Sequence, residues 1–387
     1  MDGTQHSSLS SENRKELYEK LREVWQLGAN LIVGWRPEAS GIELLYSPSL
    51  DLPLIAKRHS GLLRRDRLIG DRDRYHELLD AGCLSEVIPL SFGVSADAVI
   101  VEQMAAILRF YTVTHSNCRA VGLFDIVSFS HQSPFAQISQ INILSYHANL
   151  AAACVEAAGL PIDLNMSTTG DGFYIWNRKT GLAEDLALFY VEWLVLAFNK
   201  AAMIEKPQNN IPMLRCCFGF GDHYEYYQAS GTKPDSRGFI VGDVTVTLAR
   251  LIAAALPDQF LLGSKPRVWS DVDGEEVEPH DASRIDMVSF CNFAQKNAKV
   301  LGGVTVGHGQ IKEIELILTG DKFSERESTI NNYEIVDKHG FGNRCVNGRL
   351  NITDANDCRI SCGLETDDLT SFQGRHVEED DVTIKVI

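Results

Sequence analysis

The chain has 387 residues, 44% of them hydrophobic and 23% charged, a composition that excludes a disordered, fibrous or mini-protein class and provides for two or three cores. Its 36 Lys+Arg against 52 Asp+Glu give a formal charge of −16, a field that repels bulk DNA and anionic bilayers, so neither nucleic acid nor membrane is expected as a partner. A phosphate-bearing substrate would need a local device: metal ions, a few Arg or Lys, or backbone N–H groups.

In chain order, the polar N-terminus lacks the basic and apolar regions of an export signal. The segment from Glu12 to Leu27 follows, placing Leu17, Leu21, Val24 and Trp25 on one helical face. The mixed-sign stretch Lys57 to Arg74 reads as a solvated, salt-bridged surface. From about residue 118, β-rich runs alternate with helical ones. A buried strand over Ala120 to Val127 precedes a helix over Pro134 to Ala158. Strands over Ile162 to Thr168 and Phe173 to Trp176 flank a turn at Gly170-Asp171-Gly172. The apolar run Leu186 to Phe198, interrupted by Glu192, is too short to span a bilayer and reads as a core helix within Leu182 to Met203. Strands at Pro212 to Phe220, Phe260 to Leu262 and Ile311 to Leu318 complete the pattern, with the segment Gly238 to Leu256 between the first two. The whole reads as α+β, a ferredoxin-like βαββαβ core with helices on one face of a largely antiparallel sheet. The expected organisation is an N-terminal helical extension (1–110), the core (111–319) and a small C-terminal β-rich appendage (320–387), with short runs at Tyr333 to Val336, Arg349 to Thr353, Cys358 to Gly363 and Val382 to Val386. Nine cysteines at irregular spacing, with no Cys-x-x-Cys pair, indicate reduced thiols and a cytoplasmic location.

Two short stretches carry the chemistry. In Phe124-Asp125-Ile126-Val127-Ser128-Phe129-Ser130 an apolar strand ends in a carboxylate and passes into a turn whose N–H groups could face an anion. In Thr168-Thr169-Gly170-Asp171-Gly172 the Asp-Gly pair signals a hairpin of type I′, for which Asp171 would be a turn residue. Taken singly, Asp125 reads as a helix cap and Asp171 as a turn former. In a β-α-β-β core, however, the end of the first strand and the hairpin joining the next two lie side by side. Two carboxylates then converge at one sheet edge, as hard cations such as Mg²⁺ or Mn²⁺ require. A third stretch, Gly238 to Ile252, opens a helix with Thr247 and Arg250 one turn apart. A guanidinium fork of this kind suits a phosphoryl transition state.

In this order and spacing, the three stretches resemble the class III nucleotidyl cyclases, the adenylate and guanylate cyclase family, over about residues 118 to 319. Phe124-Asp125-Ile126-x-x-Phe129-Ser130 is similar to the family's strand end, Thr168-Thr169-Gly170-Asp171 to its hairpin, and Gly242 through Arg250 to its arginine-bearing helix. The resemblance implies two Mn²⁺ or Mg²⁺ ions per site held by Asp125, Asp171 and the Ile126 carbonyl. It implies phosphates cradled by the amides of Val127, Ser128, Phe129 and Ser130, and Arg250 on the α-phosphoryl transition state. It also implies a head-to-tail homodimer with shared active sites, carboxylates from one protomer and arginine from the other.

The departures from the family pattern bear on the base. Ser167 and Phe239 stand where the family reads a purine, and neither purine code is present. The ribose-orienting Asn is replaced by Val246, leaving Thr245 or Thr247 to that task. The triphosphate-binding Lys position holds His308, with Lys312 and Lys265 as alternatives. Intact carboxylates without purine readers resemble the pyrimidine cyclases of the bacterial Pycsar anti-phage system, and Tyr333 to Gly340 weakly resembles the sensor appendage of such enzymes. That resemblance implies a pyrimidine nucleoside triphosphate as substrate, and a separate effector protein that reads the cyclic product. UTP is favoured over CTP because no acidic residue at either position would accept from a cytosine amino group. Two alternatives stay open: a degenerate cyclase-like nucleotide-binding dimerisation module, and a purine cyclase.

Overall fold

The computed structural model describes residues 8–58, 63, 67–230, 233–269, 283–320, 322–324, 327–377, 384 and 385. The chain forms two compact units. The first comprises residues 1–116, 224–240 and 270–282, and the second 117–223, 241–269 and 283–387.

In the first unit, helix α1 (Ser11–Trp25) is capped by the Ser10 side chain and buries the four residues that its periodicity selects, Leu17, Leu21, Val24 and Trp25. An antiparallel sheet follows, made of β1 (Asn30–Glu38), β2 (Gly41–Pro48) and β3 (Leu84–Pro89) in the order β1-β2-β3. Strand alternation splits its apolar residues between two clusters. Ile32, Trp35, Ile42 and Leu44 pack with α1 and with α4 (Ala98–Leu108). Val33 and Leu45 pack with α2 (Leu52–Arg58) and α3 (Arg72–Ala81). A stretch read as helical thus also holds a sheet, with helices on both faces. Within the basic run, Arg67 departs from the expected solvated surface. It is buried, and its Nη2 donates to the Val113 carbonyl at 2.8 Å and to Thr114 Oγ1 at 3.1 Å. Arg64, Arg65 and Asp66 lie outside the described residues.

The second unit is built on a large sheet. Its strands begin with β4 (Val113–Ile126), β5 (Leu164–Thr168) and β6 (Gly172–Asn177), and β7 (Leu214–Ser230) is followed by β8 (Lys233–Val241) and β9 (Phe260–Gly263). Residues 113–116 of β4, 224–230 of β7 and 233–240 of β8 belong to the first unit. The neighbour order β7-β4-β6-β5 is that of a ferredoxin-like βαββαβ core, with β4 the first strand, β5 the second, β6 the third and β7 the fourth. The expected α+β class is therefore what the chain adopts.

Three helices pack into the same core, α5 (Pro134–Ala157), α6 (Leu182–Glu205) and α8 (Met287–Asn297). A helix apolar all round must be buried, and α6 is buried from Asp185 to Asn199. Phe189 on α6 meets Phe218 of β7 and Phe290 of α8, while Tyr190 Oη donates to the Ala294 carbonyl at 2.7 Å. By length and composition α6 could cross a bilayer, yet 78% of its most apolar window is buried inside the protein.

The alternation Phe218-Gly219-Phe220-Gly221 in β7 sets both faces of the sheet. The phenylalanines point to α6 and α8, and the glycines face the other way. A Cβ on Gly219 would stand 3.3 Å from Leu248, and one on Gly221 3.0 Å from Val244. Helix α7 (Asp243–Ala254) therefore packs on the opposite face from α6, so helices cover both faces rather than one.

Small strands come next: β10 (Arg267–Trp269) pairs with β11 (Ser283–Ile285), and β12 (Thr305–Val306) with β13 (Gly309–Leu318). In the C-terminal stretch, β14 (Lys322–Ser324), β15 (Glu327–Ser328) and β20 (Ile384–Lys385) form a separate sheet. The others are β16 (Asn332–Val336), β17 (Gly342–Asp354), β18 (Arg359–Cys362) and β19 (Arg375–Val377). Of the expected run Val382 to Val386, residues 382, 383 and 386 lie outside the described residues. The region is β-rich as read, but β17 lies between β9 and β13, antiparallel to both. Residues 342–354 are thus an internal part of the main sheet rather than an appendage to it.

Candidate active site

Asp125 ends the apolar run of β4 and pairs in register with Gly172 at the start of β6. A Cβ on Gly172 would fall 1.9 Å from the Phe124 carbonyl oxygen, so only glycine admits the hairpin this close. The positive φ of the turn is supplied by Gly170 (+105°), and Asp171 keeps an ordinary conformation, unlike the type I′ expectation. Asp171 is fastened by its backbone, its carbonyl accepting from Ile126 N–H at 2.9 Å, while Thr169 Oγ1 donates to its Oδ1 at 3.2 Å. The two carboxylates are close enough for the charge of Asp171 to raise the proton affinity of Asp125.

Asp125 is only 8% exposed. Arg215, near the start of β7, donates to its Oδ2 from Nε at 2.8 Å and from Nη2 at 2.5 Å. Burial raises the pKa of Asp125 most, Arg215 opposes that rise, and the net direction is upward. Arg215 was not among the residues selected from the sequence. The available signal was its position as a single charge in the apolar run Leu214 to Phe220, which calls for a buried anion.

Two hard oxygen donors fit a divalent cation of the Mg²⁺ or Mn²⁺ type, which commonly takes one or two carboxylates and completes its shell with water and substrate phosphates. No group of three or more His, Cys, Asp or Glu side chains that could hold a metal ion occurs among the described residues. With Oδ2 bound to Arg215, Oδ1 of Asp125, the Asp171 carboxylate and the Ile126 carbonyl are the donors that would hold it.

Beyond Asp125 the chain turns at Ser128, with φ +57°. Val127 does not offer its amide to an anion as expected, because that N–H donates to the Met213 carbonyl at 2.9 Å. The N–H groups of Ser128, Phe129 and Ser130 find no acceptor among the described residues.

The remaining positions are dispersed. Ser167 is buried on β5, opposite Tyr174 of β6. Phe239 falls in the first unit, on β8, and is 39% exposed. Tyr174 Oη donates to the Thr245 carbonyl at 2.9 Å, tying β6 to the first turn of α7. Thr247 lines a cavity of about 300 Å³ together with Gly219, Phe220, Lys265, Asn343 and Arg344, among others. Of the three alternative phosphate cations, exposed His308 lies 3.6 Å from Glu205, Lys312 is paired with Asp357 at 2.6 Å, and Lys265 makes no ion pair among the described residues.

Arg250 contacts neither Asp125 nor Asp171. Its Nε lies 2.7 Å from Oδ2 of Asp337, in the turn between β16 and β17. Burial would raise the Asp337 pKa, but the N–H groups of Phe341 and His339, with Arg250 beyond them, hold the carboxylate below its usual range.

No protein-family model matches the chain, and no curated protein matches it. Similar solved structures include the guanylyl cyclase Cya2, at 10% identity over 60% of this chain and 92% of that one, with a TM-score of 0.35. The guanylate cyclase domain of RhGC from Catenaria anguillulae in complex with GTP is 13% identical over 62% of this chain and 98% of that one, TM-score 0.33. The adenylyl cyclase CyaB from P. aeruginosa is 12% identical over 45% and 93%, TM-score 0.29.

Proposed function

We propose that this chain is a nucleotidyl cyclase, converting a nucleoside triphosphate to its 3′,5′-cyclic monophosphate and pyrophosphate. The observation that carries the reading is the convergence of Asp125 and Asp171 at one sheet edge, beside the amides of Ser128, Phe129 and Ser130, which have no acceptor among the described residues. Divalent ions bound there would neutralise the triphosphate and lower the pKa of the attacking ribose hydroxyl. Arg215 opposes the proton uptake that burial promotes and fixes the orientation of Asp125. The three amides donate to phosphate oxygens, and Arg250 meets the charge that develops as the 3′-oxygen bonds to the α-phosphorus and the bond to pyrophosphate breaks. Because Arg250 touches neither carboxylate of its own chain, the reading gives it to the second protomer of a head-to-tail homodimer with two shared sites.

The finer reading is a pyrimidine substrate, UTP over CTP. It is supported by Ser167 and Phe239 at the base-reading positions, where no purine code stands. On this reading the cyclic product is a second messenger of anti-phage defence, read by a separate effector protein. A cytoplasmic setting is supported by nine free thiols.

The test is incubation of the purified protein with Mn²⁺ and each of ATP, GTP, CTP and UTP, with products identified by mass and Asp125→Ala as control. The expected result is cyclic UMP that disappears in the control. A cyclic purine would overturn the base assignment, and no cyclic product from any nucleotide would overturn the cyclase reading.

A further inference from the structure

The contact between Arg250 and Asp337 joins the arginine of the proposed reaction to the C-terminal part of the chain, and its geometry is specific. Asp337 opens the turn between β16 and β17. Its N–H donates to the Phe341 carbonyl at 3.0 Å, and its own carbonyl accepts from Gly340 N–H at 2.9 Å. Its Oδ1 accepts from the N–H groups of His339 at 2.8 Å and Phe341 at 2.9 Å. One carboxylate oxygen is therefore consumed in fixing the side chain to the turn. The other, Oδ2, faces Arg250 Nε at 2.7 Å, with the Asp337 side chain 7% and the Arg250 side chain 32% exposed.

The turn is itself held on both sides. β16 pairs with β17 from Asn332 opposite Val346 to Val336 opposite Gly342, and β17 is internal to the main sheet. A carboxylate mounted this way does not swing aside like a detachable plug. It acts as a support: the contact is an ion pair rather than a hydrogen bond, since Oδ2 accepts none among the described residues, and a long arginine drawn to a fixed charge loses rotamer freedom before it meets substrate. No acceptor within the chain occupies the terminal amino groups of Arg250 among the described residues, so the two-pronged end that matches phosphate oxygens stays available.

We propose that Asp337 is the positioning residue for Arg250, its fixed charge holding the Nε side of the guanidinium so that the terminal amino groups are presented to the α-phosphoryl group. The assignment rests on the cyclase reading above, and it makes the C-terminal hairpin part of the catalytic apparatus.

The test pairs turnover of the full chain with a direct view of the contact. Asp337→Asn keeps Oδ1 as an acceptor for the turn and removes the charge that faces Arg250, and Asp337→Ala removes both. With Mn²⁺ and the nucleotide that is turned over, Asp337→Asn is expected to lower kcat about 10-fold or more while leaving KM near that of the parent. Asp337→Glu should recover part of the loss. Asp337→Asn added to Arg250→Ala should cost nothing further, because the carboxylate acts only through the arginine. In ¹H–¹⁵N spectra the Arg250 Nε resonance, assigned by its loss in Arg250→Ala, is expected to move on Asp337→Asn by more than the other arginine Nε resonances do.

An unchanged kcat, or a loss that adds to that of Arg250→Ala, would overturn the proposal. A raised kcat would also overturn it and make Asp337 an inhibitory clamp. If the parent turns over nucleotide in an Asp125-dependent way but its Arg250 Nε resonance is unmoved by Asp337→Asn, the positioning role alone falls. If that resonance moves and no cyclic product forms, the cyclase reading falls and takes the role with it.

Discussion

Asp125 sits where two demands conflict, since burial favours its neutral form and a metal-binding role needs it ionised. Arg215 resolves the conflict with two donors on one oxygen. Replacing it with Ala leaves a buried carboxylate without its counter-ion, at a cost on the order of 2 kcal/mol. The expected outcome of Arg215→Ala is a lower melting temperature by scanning calorimetry and loss of most turnover. Arg215→Lys restores charge without the two-pronged contact, and should recover stability better than activity. Asp125 and Asp171 were legible because each lies within a short local pattern, a strand end or a turn. Arg215 is 90 residues from Asp125 in sequence and Asp337 is 87 beyond Arg250, counting 337 − 250. Their partners are set by tertiary packing, which no local pattern encodes.

At the scale of elements, helix and strand positions in the core followed hydrophobic period closely, because α5, α6 and β4 bury strongly patterned faces. The Phe-Gly alternation of β7 was in plain view, but assigning its glycine side to α7 required knowing which helix follows onto which face. Glu192, the one interruption in the apolar run of α6, is fully buried, and Cys216 donates its thiol to Glu192 Oε1 at 3.0 Å. Burial pushes the Glu192 carboxyl well above the usual carboxylate range, so it is neutral in the fold. The sign follows from linkage. Above the ordinary carboxylate pKa the unfolded chain releases a proton that the folded chain keeps, so this residue's contribution to stability declines as pH rises from there toward the raised folded value. Glu192→Gln removes that titration. Its melting temperature is expected to fall less steeply than the parent's between about pH 5 and pH 8, and equal slopes in a paired calorimetric series would refute the assignment.

For the molecule as a whole, the ferredoxin-like core was readable because its strands follow one another in a known order with helices between them. The place of β17 was not, since its pairing with β9 and β13 rests on register across long stretches of chain. Its buried residues Cys345, Val346, Leu350 and Ile352 belong to the sheet interior. A chain ended after Thr319 would leave two open strand edges where β17 belongs. Such a truncation is expected to lose cooperative melting by circular dichroism, rather than to yield a stable core freed of an appendage. A sharp parent-like transition would show that the sheet closes without β17.

The late position of β17 also orders events during synthesis. The ribosome has made β9 and β13 well before residues 342–354 emerge, so the nascent chain carries a sheet with a missing slat and two unpaired edges. The same short stretch of chain brings the slat and, a few residues ahead of it, Asp337. A product terminated before residue 337 would therefore lack both the finished sheet and the carboxylate that faces Arg250.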